Sequence, residues 1–80
     1  ALAAKIKVYP NPAQDLVRLS SETANIVQVA IYDVNARLVQ TIAFDSTQDA
    51  AFSVASLSKG IYQLHIETDK GRVIKPLSVQ

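Results

Sequence analysis

Apolar residues in this chain alternate with polar ones and do not return every third or fourth position, which is the side-chain period of a strand. Val17 and Leu19 share one face of a short run. Val27, Val29 and Ile31 share a face of the next, with Gln28 and Ala30 between them, and Tyr62, Leu64 and Ile66 alternate with Gln63, His65 and Glu67. Half-buried strands explain this pattern, and the abundant valine, isoleucine and threonine have stiff χ1 angles that suit a pleated surface. No helix of ordinary length is predicted. Val17, Leu19, Val29, Ile31, Tyr62, Leu64 and Ile66 are the expected core.

Turn chemistry cuts the pattern into seven short segments. Pro10-Asn11-Pro12-Ala13 stops a first strand at about Ile6 to Tyr9, because each proline removes a donor and biases its predecessor toward extended geometry. A second strand, about Asp15 to Ser20, ends in the polar stretch Ser20 to Asn25. The third, Ile26 to Tyr32, and the fourth, Arg37 to Phe44, flank Asp33-Val34-Asn35-Ala36 and form a predicted hairpin. Asp45 to Asp49 is predicted to be a loop, Ala51 to Val54 a fifth strand and Ile61 to Thr68 a sixth. Asp69-Lys70-Gly71 suits a type I turn closed by a left-handed glycine, leading into a seventh strand from Arg72 to Val79.

Seven strands at intervals of about 8 to 12 residues, without helices between them, predict an all-β, immunoglobulin-like sandwich of mostly antiparallel strands; a small barrel is the competing architecture. At 80 residues the chain holds one domain at most. With 49% hydrophobic and 19% charged residues and a net charge of +1, it is neither a disordered tail nor a polybasic nucleic-acid binder. Cys, Met and Trp are absent, so disulfides, thiolate metal sites and a cysteine nucleophile are excluded. No apolar run approaches the roughly 18 to 20 residues of a membrane helix. Ala1 to Lys5 lacks the basic flank and apolar length of a signal peptide, and the missing Met leads us to expect a piece of a longer protein.

The residues that carry chemistry elsewhere are poorly placed here. His65 is the one histidine and alternates with apolar positions inside a strand, so a solvent-facing or interface role is expected in place of a triad. Asp15, Asp33, Asp45, Asp49 and Asp69 all fall at predicted turns, where aspartate caps backbone donors. Asp33-Val34-Asn35 opens like a calcium loop but lacks its glycine and distal glutamate, so no metal site is expected. Gly60 and Gly71 each precede a strand, which makes them turn residues and not a phosphate cradle. Most of the aromatics, Tyr9, Tyr32, Phe44, Phe52 and Tyr62, are expected to fill the core.

The last strand departs from the pattern. Pro76 cannot donate to a ladder and is expected at a sheet edge, and Lys75 interrupts the apolar row Val73, Leu77, Val79. Two accounts stand: protection of the edge against aggregation, with the Lys75 stem lying over apolar surface, or docking by a receptor through strand addition or capture of the terminal carboxylate. A proline-bearing edge is also expected to add few ladder bonds, so loss of Leu77 to Gln80 is expected to leave the domain folded.

Taken in order, Val8-Tyr9-Pro10-Asn11-Pro12-Ala13, Ile31-Tyr32-Asp33 with Arg37-Leu38-Val39, Leu57 with Gly60-Ile61-Tyr62, and Lys75 to Gln80 resemble the C-terminal sorting domain of type IX secretion system cargo, over nearly the whole chain. The resemblance implies an immunoglobulin-like domain at 6–80 behind a residual linker at 1–5, with no enzymatic activity and no cofactor. It implies an address label: cargo crosses the inner membrane by an upstream signal peptide and passes through the periplasm. The folded domain is then recognised at the outer-membrane translocon and removed by a sortase-type protease at the cell surface, commonly with joining of the cargo to anionic lipopolysaccharide. The implied partners are that translocon and that protease, without nucleic acid or a small-molecule substrate; the oligomeric state stays open. Gly60 and Tyr62 match the family's glycine and aromatic, and Lys75, Leu77 and Val79 its terminal lysine and apolar positions. Recognition is accordingly expected at Lys75, Pro76, Leu77, Val79 and Gln80, with Pro10, Asn11, Pro12, Gly60, Tyr62 and Gly71 as the motif's turn residues.

Four positions depart from the family. Ala36 stands where a glycine usually follows the Asn, so the hairpin is expected to use Asn35 for any left-handed residue. Ser58 and Lys59 replace a proline-containing lead to Gly60, and Pro76 interrupts the usual apolar run. The rival classes are an adhesive or carbohydrate-binding accessory sandwich, which the absence of Trp disfavours, and a minimal enzyme, which the lone His65 disfavours.

Overall fold

The computed structural model describes residues 6–9 and 15–80. Its strands are β1 (Ile6–Tyr9), β2 (Leu16–Ser21), β3 (Ile26–Tyr32), β4 (Leu38–Thr47), β5 (Asp49–Ser53), β6 (Gly60–Thr68) and β7 (Gly71–Val79), with no helix among the described residues. They form two sheets, one of three strands in the order β1-β2-β5 and one of four in the order β4-β3-β6-β7. Every pairing is antiparallel. The result is an immunoglobulin-like sandwich and not a closed barrel. Pro10, Asn11 and Pro12, and the expected linker at Ala1 to Lys5, lie outside the described residues.

The alternation does what a period of two requires: one face of each sheet turns inward and the two faces meet in a single apolar layer. Val17, Leu19, Val29, Ile31, Leu64 and Ile66 are fully buried and Tyr62 nearly so, as expected. Ile6, Ile26, Phe52, Val54, Val73, Leu77 and Val79 complete the core.

Three local expectations are corrected. In β3 the ladder slips between Ile26 and Gln28 against both neighbours. Against β6, Val27 is the surplus residue of this bulge, whereas against β4 the run Phe44 to Ser46 faces it, so Ile26 drops into the core and Val27 is left half-buried, out of the row that pattern alone assigns it. Next, the loop predicted at Asp45 to Asp49 is mostly strand. β4 runs on through its side of the same irregularity, with Ser46 at φ 47°, to pair Thr47 with Ile26, and Gln48 alone separates it from β5. Ser21 N–H donates to the Gln48 carbonyl at 2.8 Å, and Asp49 N–H donates to Thr47 Oγ1 at 3.1 Å, which ties this crossing to β2. Finally, of the aromatics only Phe52 and Tyr62 are buried; Tyr32 and Phe44 are half-buried and Tyr9 is exposed.

The β3–β4 hairpin is closed by Asp33. Its Oδ1 accepts from the backbone N–H of Asn35 (2.9 Å) and of Arg37 (3.0 Å), while its carbonyl accepts from Ala36 N–H (2.9 Å). This Asx turn places Ala36, and not Asn35, in the left-handed region at φ 61°. A side-chain acceptor at the first turn position fixes where the chain must reverse, and the left-handed residue follows from that geometry whatever its identity.

Candidate functional site: the β6–β7 ribbon

The family motif's two later pieces are far apart in sequence and adjacent in space. β6 and β7 pair over nine positions, and the register sets Gly60 opposite Val79, Tyr62 opposite Leu77 and Leu64 opposite Lys75. Gly60 has φ 155° and opens β6; a Cβ there would touch the Tyr62 ring at 4.0 Å. Tyr62 turns inward beside Leu77 and donates its hydroxyl to the Ser58 carbonyl at 2.6 Å, four residues back. A tyrosine near the start of a strand that bonds the backbone just upstream pins the preceding loop in immunoglobulin-like domains. Gly71 lies at the opposite end of the ribbon with φ 128°, positive as expected, immediately after the Asp69-Lys70 turn. That turn is tied across the sheet: Asn25 N–H donates to Asp69 Oδ1 at 2.9 Å, and Asp69 N–H donates to the Asn25 carbonyl at 3.0 Å.

β7 is an edge of its sheet, where a residue without an N–H is tolerated, and Pro76 sits there opposite Gln63 with its ring exposed. Val73, Lys75, Leu77 and Val79 share the inward face. Three are buried, and Lys75 is half-buried between Val73 and Leu77. Among the described residues no carboxylate pairs with its ammonium. An inward-facing lysine on an edge strand resists stacking by another sheet edge, so the protective account and the docking account both keep their physical basis. Gln80 follows the strand and is exposed.

Sequence reasoning underrated what this strand does for the fold. Leu77 is 1% and Val79 4% exposed, so deleting Leu77 to Gln80 removes two core side chains and three register pairs. The expectation of a mild loss is therefore corrected: a proline disturbs the edge of a ladder without changing which side chains the strand buries.

The other candidates have structural occupations. His65 is half-buried on the outer face with its ring centroid 4.4 Å from that of Tyr32, tilted by 46°. Asp33 and Asp69 cap turns, whereas Asp45 and Asp49 lie in strands and not at the predicted turns. The described residues hold no cluster of metal-ligating side chains. Two shallow clefts, about 190 Å³ beside Tyr9 and Arg18 and about 220 Å³ beside Asp33 and Ile61, are smaller than the ~300 to 1,000 Å³ of ordinary ligand pockets.

The chain matches the family model described as the secretion system C-terminal sorting domain over residues 7–80. The chain belongs to that family. Such sorting domains are the signals of type IX secretion, so this domain directs export through that system to the cell surface or beyond and interacts with the secretion machinery; the family is not catalytic. A curated relative, an endo-acting ulvan lyase of Formosa agariphila, is 33% identical over 69 residues, covering 86% of this chain. The sorting domain spans only 13% of that relative's length.

Proposed function

We propose that the outer-membrane translocon of the type IX system reads the end of β7. In this reading Lys75, Pro76 and Gln80 are the groups contacted, and Leu77 and Val79 hold the strand flush against β6. The register that seats Val79 on Gly60 and Leu77 on Tyr62 carries the proposal, because it makes the terminal motif and the Gly-x-Tyr motif a single packed unit. Lys75 supports it by presenting an ammonium with no ion-pair partner among the described residues. The domain passes through the periplasm with its cargo and is cut away by a sortase-type protease in or just ahead of Ala1 to Lys5, a stretch of small residues preceding β1.

Residues 1–80 joined to a periplasmic reporter, in a host that has this system, provide the test. Lys75→Gln keeps most of the stem and removes the charge, so it should trap the reporter in the periplasm while the melting temperature of the purified domain stays within a few degrees of the parent. Normal surface delivery of Lys75→Gln and of a chain lacking Gln80 would reject the recognition role. Mass spectrometry of the released domain locates the cut, and a cut inside Ile31 to Phe44 would contradict the proposed processing.

A further inference from the structure

The outer face of the four-stranded sheet is unusually apolar for a surface. Cross-strand partners share a face, so the register places Leu38 beside Tyr32, Tyr32 beside Gln63 and Gln63 beside Pro76; the next row runs Thr41, Ala30, His65, Ile74. Ile61 lies one step beyond Gln63 on the same face. Leu38, Ile61 and Ile74 are 55%, 58% and 52% exposed, and the half-buried Tyr32–His65 ring pair fills the space between them. Exposed apolar surface that is contiguous across several strands marks an interaction site more often than an inert one.

The charges on this face constrain its occupant. Glu67 and Arg72 pair at 2.6 Å near the β6–β7 turn, and Arg37 lies 3.8 Å from Asp33 at the β3–β4 turn, at the opposite end of the sheet. Each of these pairs neutralises itself, Asp45 on β4 adds one exposed carboxylate toward the Glu67–Arg72 end, and the middle rows hold no Asp, Glu, Lys or Arg. A strongly charged partner gains nothing here. A second copy of the same face does, because a two-fold axis lying in the interface and perpendicular to the strands lays the Glu67–Arg72 end of one copy over the Asp33–Arg37 end of the other.

We propose that this face pairs two copies of the chain. The footprint is sufficient but small. Four strands at ~4.8 Å spacing, about nine residues long at ~3.3 Å each, cover roughly 19 by 30 Å, or about 1,100 Å² counted over both copies, just above the ~1,000 Å² that a specific interface requires. An interface at the low end of the specific range is weak or transient, so a micromolar Kd is the range to test. It is separate from reading of the β7 end and stands or falls without it.

Sedimentation velocity of residues 1–80 from about 5 to about 500 µM, a range that brackets such a Kd, should show the mass rising from one chain toward two. Ile74→Lys and Ile61→Lys should each weaken the association at least about tenfold, since each replaces an apolar contact of the patch with a charge that association desolvates without a partner. Leu16→Lys, on the three-stranded sheet at 41% exposure, should leave it within about twofold. Melting curves check that each variant is folded, and Ile61→Ser replaces any lysine variant that is not. A single-chain mass at every concentration overturns the proposal, as does a dimer that the Ile74 and Ile61 variants leave intact or that Leu16→Lys weakens equally.

Discussion

Leu77→Ala separates what β7 contributes to folding from what it contributes to sorting. Leu77 is 1% exposed and packs opposite Tyr62 on the inward face of the ribbon. Truncating a fully buried leucine to alanine costs about 2 to 5 kcal/mol in lost transfer energy and residual cavity. At roughly 0.05 to 0.15 kcal/mol per residue, a domain of 80 residues has about 4 to 12 kcal/mol in total. One side chain therefore carries a sixth of the stability at the least. For a domain of this size each kcal/mol moves the melting temperature by about 4 to 8 °C, so Leu77→Ala should lower it by about 8 °C or more. Gln80→Ala, exposed and beyond the ladder, should change it by no more than about 4 °C. Thermal melts followed by far-ultraviolet circular dichroism measure both. Deletion of Leu77 to Gln80 removes Val79 as well and should leave the domain largely unfolded at growth temperature. Loss of export in a truncation of this kind is therefore not by itself a sign that the tail is read by a receptor. Equal shifts for Leu77→Ala and Gln80→Ala would refute the reasoning, because they would mean that β7 is not part of the core.

Three further outcomes are expected. Ala36→Gly relieves a left-handed alanine at φ 61° and should stabilise the domain by about 0.5 to 1 kcal/mol in denaturant titrations; destabilisation would contradict the turn geometry. Leu64→Ala, at a fully buried position, should destabilise by about 2 to 5 kcal/mol while its neighbour Gln63→Ala stays within about 0.5 kcal/mol, and similar effects would place β6 in the wrong register. Asp69→Ala removes the acceptor of the Asn25 N–H and should cost about 1 kcal/mol by urea unfolding, with loss of hydrogen-exchange protection at the Asn25 amide; full protection in the variant would show that the amide has another partner.

The parts of this fold legible in the sequence are those in which one local rule acts alone. Val17 with Leu19, and Tyr62 with Leu64 and Ile66, alternate without interruption, and their strands lie where the period puts them. Gly71 took positive φ as its turn required. The illegible parts are those decided by a partner strand. Val27 reads as a core residue in its own strand, and only pairing with Thr68 and Glu67 of β6 makes it the surplus one. Asp45 and Ser46 read as a loop because their own propensities are loop-like, yet Ile26 offers Thr47 a ladder position beyond them. In the ribbon, the motif residues Gly60, Tyr62, Leu77 and Val79 were visible individually; their mutual contact is a matter of register, which no spacing in a single sequence reports.

Gln48 has a mechanical meaning. β1 and β7, the first and last strands, belong to different sheets, and the covalent path between the sheets at the β4–β5 corner is one residue long. Two more links cross between the sheets, at residues 22–25 and 54–59, so the sandwich cannot swing open on a single hinge. A pull between β1 and β7 is met first by the edge ladders themselves, four pairs for β1 on β2 against nine for β7 on β6, so the short first strand yields before the long last one.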